Sequence, residues 1–433
     1  MMSWVLISVA MWSGTRAEVE VVRDYKGWGW TSYVMSNGLV RLAVVPEIGG
    51  RVMEYSLEGH NFIYINPQEL GKTYVPSEDS PWHNFGGYKV WPAPQGEWLA
   101  GGGGWPPPPN LDFGRYSCEI SVNSHDSSVV LLEGPPETFG RWKCRGLKFK
   151  RRIAIYRGST RVRVEQAMEN CGREVARWSV WDVTQVVGCH PGEEDYGSFW
   201  VYFPVREEGR CYYVMMGEEG PQWKGRVAEG VSAVQYLHHG GKIGADSDGG
   251  WICYVDERDG YAYVKTFEYF PGETYPDSNA SVEVFTSSGL PYVEVEVLSP
   301  LVELAPGGSY TFVEDWYATR CRGPILKANR AGVVRRKLKV EAKGGAVGLE
   351  GEYGVFYIGR VEVTFEGTEG ESVGESYEVS PLETFVLKGR FSPPSGAERV
   401  VLRLYDGMGK PVGILDSCPI PPRRRSSSLQ RGL

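Results

Sequence analysis

The chain has 433 residues, 42% hydrophobic and 23% charged, which is enough to bury a sizeable core and too long for one ordinary small domain. Its formal net charge is −8, from 46 basic and 54 acidic residues. That balance excludes the sequence-independent nucleic-acid binding that runs on a basic surface, and no run reaches the roughly 18 consecutive apolar residues of a conventional membrane span. Glycine, at 56 residues, has about twice its usual share, and aromatics reach 13%. Gly-rich turns among aromatic and β-branched runs describe an all-β chain of short strands joined by tight turns.

The first twelve residues are mostly apolar, and Thr15-Arg16-Ala17 follows as a small-residue site, so residues 1–17 resemble a short secretory signal. No Lys or Arg precedes the apolar stretch, and a first strand packed on the domain fits as well. Export to the periplasm or beyond and a cytoplasmic location therefore both stay open. The eight cysteines, from Cys118 to Cys418, show no C-x-x-C spacing, which argues against a zinc ribbon. Buried thiols are expected, with one or two disulfides if the chain is exported.

From Val19 to about Arg320 strand follows strand. Asn37-Gly38 is a turn before the apolar run 39–45, and a Pro-Glu-Ile-Gly-Gly turn follows. Residues 148–156 and 160–166 alternate basic and apolar side chains, as paired antiparallel strands do. Residues 178–187, 211–216, 251–255, 261–269 and 281–285 continue the pattern. Residues 101–110 read Gly-Gly-Gly-Gly-Trp-Pro-Pro-Pro-Pro-Asn, a loop whose Trp105 is placed to cover something. Composition turns basic at 323–336, which is read as a linker after a domain spanning 18–322. Short alternating strands over 337–418 suggest a small Ig-like β-sandwich, and residues 419–433, with three Arg and three Ser in succession, a disordered basic tail.

Three segments carry candidate chemistry. In Tyr292–Pro300, alternation puts Val293, Val295 and Val297 on one face and Glu294 and Glu296 on the other. Two carboxylates so close on one face need solvent, a basic partner or a ligand to offset their repulsion. In Asn84–Pro94, Gly86-Gly87 permits close backbone approach, and Lys89 shares a face with Trp91. The acidic, Gly-rich Lys242–Trp251 hints at a calcium loop but lacks the EF-hand spacing. His83, His190, His238 and His239 could serve acid–base work, but none has a zinc spacing, so neither metal nor cofactor is expected. There is no Gly-x-Ser-x-Gly elbow, Walker loop or dinucleotide fingerprint, which removes the corresponding hydrolases, NTPases and dehydrogenases.

Taken together, several of these motifs resemble the galactose mutarotase-like superfamily. Pro46–Tyr55 followed by Phe62–Pro67 is similar to its opening strands, and Glu294–Pro300, Leu304–Ser309 and Glu314–Trp316 to its closing ones. Gly86–Pro94, Trp181–Gln185 and Tyr275–Asp277 look most like an uncharacterised branch of unknown function rather than the aldose 1-epimerases. The resemblance covers roughly residues 20–320. It implies a supersandwich of two large antiparallel sheets with a ligand cleft on one face, and sugar binding as the common theme, although fold does not fix function.

In the epimerases of that superfamily a late-strand Glu is the base and a His the acid. Glu296 or Glu294 matches the Glu. Where the second His is expected, Asp182 and Gln185 stand instead, and His83 would have to enter from a loop. The first expectation is therefore a carbohydrate-binding protein whose cleft is lined by Arg51, Lys89, Trp91, Gln185, Lys242, Lys265, Glu294 and Glu296. The second is a carbohydrate-active enzyme, an epimerase or a lyase-like one, with Glu296 or Glu294 catalytic. The third is a structural or interaction module whose strand glutamates are merely solvated. The oligomeric state is not legible.

Overall fold

The computed structural model describes residues 16–206, 210–343, 345–368 and 370–421. The expected signal and basic tail lie almost wholly outside the described residues. Two large antiparallel sheets dominate. The path of the larger runs Glu18–Val22, Ser32–Ser36, Val40–Val45, Arg51–Leu57, Tyr88–Ala93, Ala176–Val187, Tyr292–Leu298, Val282–Thr286, Gly241–Ala245 and Tyr213–Met216. The smaller runs Trp223–Ala228, Val231–Gln235, Phe199–Pro204, Trp251–Asp256, Tyr261–Phe267, Ser309–Arg320, Val162–Asn170, Leu147–Tyr156, Ser127–Glu133 and Ser117–Asn123. The expected supersandwich is thus what forms. The strands read from alternation fall where expected and differ at their ends, which are set by ladder hydrogen bonds rather than by side-chain pattern.

The period of two explains the layering. Val293, Val295 and Val297 join Val180, Trp316 and Phe312 in one apolar core, while Glu294 and Glu296 alternate with the three valines along their strand. Between the sheets lies a fully buried polar cluster. Lys265 donates to Asp182 Oδ1 (2.5 Å), Thr184 Oγ1 (2.8 Å) and the Val295 carbonyl (2.8 Å). Gln166 donates to Glu314 Oε1 at 2.6 Å and Trp316 Nε1 to its Oε2 at 3.1 Å. Burial, with Asp182 adding to it, pushes the Glu314 carboxyl well above the usual carboxylate range. Lys265, expected to line the cleft, therefore lies between the sheets: its strand belongs to the smaller sheet and its charge meets Asp182 across the core.

Residues 327–421 build a second sandwich of two four-stranded sheets with its own apolar core, including Val334, Leu349, Tyr353, Val363, Leu387 and Leu402. One of its long strands, Gly332–Lys343, begins inside the stretch read as a linker. The two sandwiches are packed together rather than loosely tethered. Tyr317 stacks on Phe356 at 4.3 Å, and the Thr160 N–H donates to the Phe356 carbonyl at 2.9 Å. All eight cysteines are free thiols. Cys144, Cys253 and Cys321 are buried, and burial pushes the Cys321 thiol up to about 12.

Candidate functional site

The face of the larger sheet turned away from the smaller one carries the site. Register decides which side chains share it. Lys89 pairs with Val183, Trp91 with Trp181, Gln185 with Glu294, Glu296 with Glu283, and Phe285 with both Glu294 and Lys242. Cross-strand partners point to the same side. Lys89, Trp91, Trp181, Gln185, Lys242, Glu283, Phe285, Glu294 and Glu296 therefore project together, and above them opens a cleft of about 710 Å³. Trp91, Trp181, Phe285, Tyr292, Lys242 and Glu294 line its floor, and Trp82, Trp105, Met215, Met216 and Asp277 its walls.

The floor is a lattice of alternating charge. Lys242 Nζ lies 2.6 Å from Glu283 Oε2, 2.9 Å from Glu296 Oε2 and 4.2 Å from the centre of the Trp181 ring. The Trp181 indole N–H donates to Glu296 Oε2 at 2.8 Å. On the other side, Lys89 Nζ lies 3.4 Å from Glu294 Oε1 and 4.4 Å from the Trp91 ring, and Gln185 Nε2 donates to the same Glu294 oxygen at 2.9 Å. Each ammonium thus sits against both a carboxylate and an indole face, an arrangement that holds a charge in a dry site.

Protonation follows from this packing. Burial pushes Glu283 well above the usual carboxylate range, with Lys242 opposing and Glu296 adding to the push. Burial also raises Glu294, against the pull of Lys89, and lowers Lys89, against the pull of Glu294. Lys242 behaves oppositely: burial would lower it, but Glu283 and Glu296 outweigh burial and raise it. Asp277, at the rim, is raised by burial and lowered in part by Lys242. Of these groups Lys242, Glu294 and Asp277 line the cleft, while Glu283 and Glu296 stand behind Lys242.

Local sequence explains the placement. Gly86 has φ +87°, and a Cβ there would stand 2.3 Å from the Tyr64 carbonyl oxygen, so the Gly-Gly pair lets the chain press on its neighbour before Lys89. Gly49 has φ +76°, and a Cβ there would stand 2.1 Å from the Asp112 carbonyl oxygen. Asp112 ends the short helix Pro109–Asp112, just past the Gly/Pro loop. Its Oδ1 is 2.5 Å from Arg51 Nη2 and accepts the Trp91 indole N–H at 3.1 Å. Arg51 is on the cleft face of the sheet but is covered by this loop and 1% exposed, so it anchors Trp91 through Asp112 instead of lining the cleft. Trp105, from the same loop, meets Trp82 edge-on at 5.0 Å over the opening.

The structure thus brings together Lys89, Trp91, Gln185, Lys242, Glu294 and Glu296 and leaves Arg51 and Lys265 out of the cleft. Sequence reasoning missed Glu283, Phe285, Tyr292, Met215, Met216 and Trp82. Glu283 alternates with Val282 and Val284, so the same period-two signal marked it in a shorter strand. Asp277 lay in a segment noted only for its resemblance. It sits in a turn where Asp277, Ser278 and Asn279 all have positive φ (51°, 62° and 71°), uncommon for three non-glycine residues in succession. No histidine lines the cleft: His83 stacks on Tyr74 and His238 on Tyr196. The acidic part of Lys242–Trp251 is used locally, with Asp246 and Asp248 both within 4 Å of Arg206.

No curated protein matches the chain. Solved structures similar to it include a galactose mutarotase-like protein from Lactobacillus casei (9% identity, covering 66% of this chain and 99% of that one, TM-score 0.45). Others are a galactose mutarotase related enzyme from Lactobacillus acidophilus (11%, 67% and 98%, 0.45) and a galactose mutarotase-like protein from Clostridium acetobutylicum (12%, 71% and 99%, 0.43). No residue role transfers at such identities. The family match is direct: residues 32–319, most of the chain, match DUF4380, a domain of unknown function, and the protein belongs to that family.

Proposed function

We propose that the protein binds a carbohydrate in the aromatic cleft of its larger sheet. The observation that carries this reading is the floor itself: indole faces of Trp91 and Trp181 beside the charged ends of Glu294 and Lys242. A sugar ring offers an apolar face for the indoles and hydroxyls for carboxylate and ammonium. A cleft of this size and mixed lining suits a mono- or disaccharide. The ion pairs against Glu294 and Glu296 weaken the alternative in which these glutamates are solvated decoration on an interaction module.

A second reading, a sugar isomerase of the epimerase type, is favoured by one observation. Glu294 and Asp277 are two carboxyls lining one cleft, both raised by burial, and a general acid beside a general base is what proton transfer at an anomeric centre needs. Asp277 would fill the role that a histidine fills in the epimerases. Calorimetric titration with neutral sugars and uronic acids, beside Glu294→Gln, tests binding. A ligand bound by the native chain and lost in the variant supports the cleft. Absence of any binding across the panel, with both chains alike, sinks the proposal. Anomer-exchange NMR on a bound sugar then separates binder from isomerase.

A further inference from the structure

Away from the cleft, four ligand-type side chains meet where the two large sheets approach each other. His60 belongs to a two-residue strand paired with Arg51–Leu57 of the larger sheet, and His190 lies in the loop leaving Ala176–Val187. Asp256 ends the Trp251–Asp256 strand of the smaller sheet, and Asp259 stands in the turn after it. Donor atoms of His60, Asp256 and Asp259 all lie within 4.8 Å of one another. His190 Nε2 is 2.8 Å from Asp256 Oδ2 and 3.6 Å from Asp259 Oδ2, and His60 Nε2 is 3.8 Å from the same Asp256 oxygen. Ligand atoms on a tetrahedral ion with bonds of about 2.0–2.1 Å stand roughly 3.3–3.5 Å apart; the two His190–carboxylate separations bracket that spacing, and the donors of His60, Asp256 and Asp259 have to draw closer to reach it.

Two further observations point the same way. His60 Nε2 is buried and has no hydrogen-bond partner, a costly state for an imidazole nitrogen unless something fills it. The ligands are also held in place. Asp256 is fully buried, and its Oδ1 accepts the backbone N–H groups of Arg258 and Asp259 at 3.1 Å each, which turns Oδ2 toward both imidazoles. The His60 ring stacks on Tyr261 at 4.2 Å and 9°, and His190 packs on Phe199 at 4.8 Å. Supporting contacts of this kind orient metal ligands.

We propose that His60, His190, Asp256 and Asp259 bind one divalent transition-metal ion of the zinc class. Imidazole ligands favour zinc and its neighbours over calcium and magnesium, and two carboxylates balance the charge of the ion. With the histidines on the larger sheet and the aspartates on the smaller, the ion is a staple between them. The proposal does not depend on what the cleft binds.

The test uses the full-length chain stripped with chelator, titrated separately with Zn²⁺, Co²⁺, Ca²⁺ and Mg²⁺ by calorimetry, with thermal melting and the visible absorption of Co²⁺ as further readouts. One Zn²⁺ or Co²⁺ per chain is expected, with a rise in Tm and visible Co²⁺ bands of a low-coordinate site. Asp259→Asn, at a side chain 42% exposed, should melt like the metal-free native chain yet bind Zn²⁺ at least 10-fold more weakly. His60→Ala should lose the ion. Native binding no tighter than that of Asp259→Asn, or Ca²⁺ or Mg²⁺ bound as tightly as Zn²⁺, would overturn the assignment and leave a His190–Asp256 hydrogen bond.

Discussion

Glu283 and Glu296 stand opposite each other in the register of two antiparallel strands, and both lie against the ammonium of Lys242, at 2.6 and 2.9 Å. Three buried ionisable groups in one place are stable only as a set. Removing the cation by Lys242→Met leaves two facing carboxyls in a dry site and should cost about 3–5 kcal/mol. Glu283→Gln should cost far less, because Glu283 is already pushed toward its neutral form. Urea denaturation at neutral pH measures both. Equal losses would mean that Glu283 is ionised in the native state.

Glu314 gives the same argument a pH axis. Burial raises its pKa well above the ordinary carboxylate value of about 4.5, and Glu283 and Glu294 are raised with it. A carboxyl that is harder to ionise in the folded chain than in the unfolded one holds its proton longer when folded. Its contribution to stability is complete below about pH 4.5 and shrinks as pH rises toward the folded value. Glu314→Gln should therefore flatten the fall in Tm between pH 5 and neutrality (about two units). An unchanged slope would show that Glu314 does not hold its proton across that interval.

The period-two pattern made much of this legible. It separated the valines of Tyr292–Leu298 from Glu294 and Glu296, and it paired Lys89 with Trp91, because alternation is a local property that each strand carries in itself. Lys265 shows where that reading stops. Its strand also alternates, but which sheet the strand joins is decided by pairing with Ser309–Arg320, and its counter-ion Asp182 is 83 residues away. Arg51 failed for a related reason: the loop that covers it returns through Asp112, 61 residues later. The His60–Asp259 cluster was invisible because only Asp256 and Asp259 are neighbours in sequence, while His60 and His190 come from two segments more than 60 residues before them.

Two of the tryptophans that line the cleft, Trp105 and Trp91, should separate affinity from stability. Trp105 is 48% exposed over the cleft, so Trp105→Ala should leave urea stability within about 0.5 kcal/mol of native. It should also weaken binding of any cleft ligand roughly 10-fold, the equivalent of one lost aromatic contact of about 1.4 kcal/mol. Trp91 is buried, packed edge-on against Trp98 and Trp181 at 5.3 and 5.5 Å. Trp91→Ala should cost about 3–5 kcal/mol of stability. Calorimetry beside urea denaturation distinguishes them, and a Trp105→Ala chain that binds like the native one would remove the loop from the site.

The turn carrying Asp277 stores strain that the cleft can use. Asp277, Ser278 and Asn279 all occupy the left-handed region, where a non-glycine residue costs of the order of 1 kcal/mol. The conformation is held by the Tyr275 N–H donating to Asn279 Oδ1 at 3.0 Å and by the Tyr213 hydroxyl donating to the Asp277 carbonyl. Ser278 is exposed, so Ser278→Gly removes a Cβ penalty without removing a core contact. It should raise stability by about 0.5–1 kcal/mol. If the strain serves to fix the Asp277 carboxyl beside Lys242, the same variant should bind a cleft ligand more weakly while melting higher. A variant that gains stability and keeps full affinity would show that the strain at Ser278 has no part in fixing Asp277 for binding.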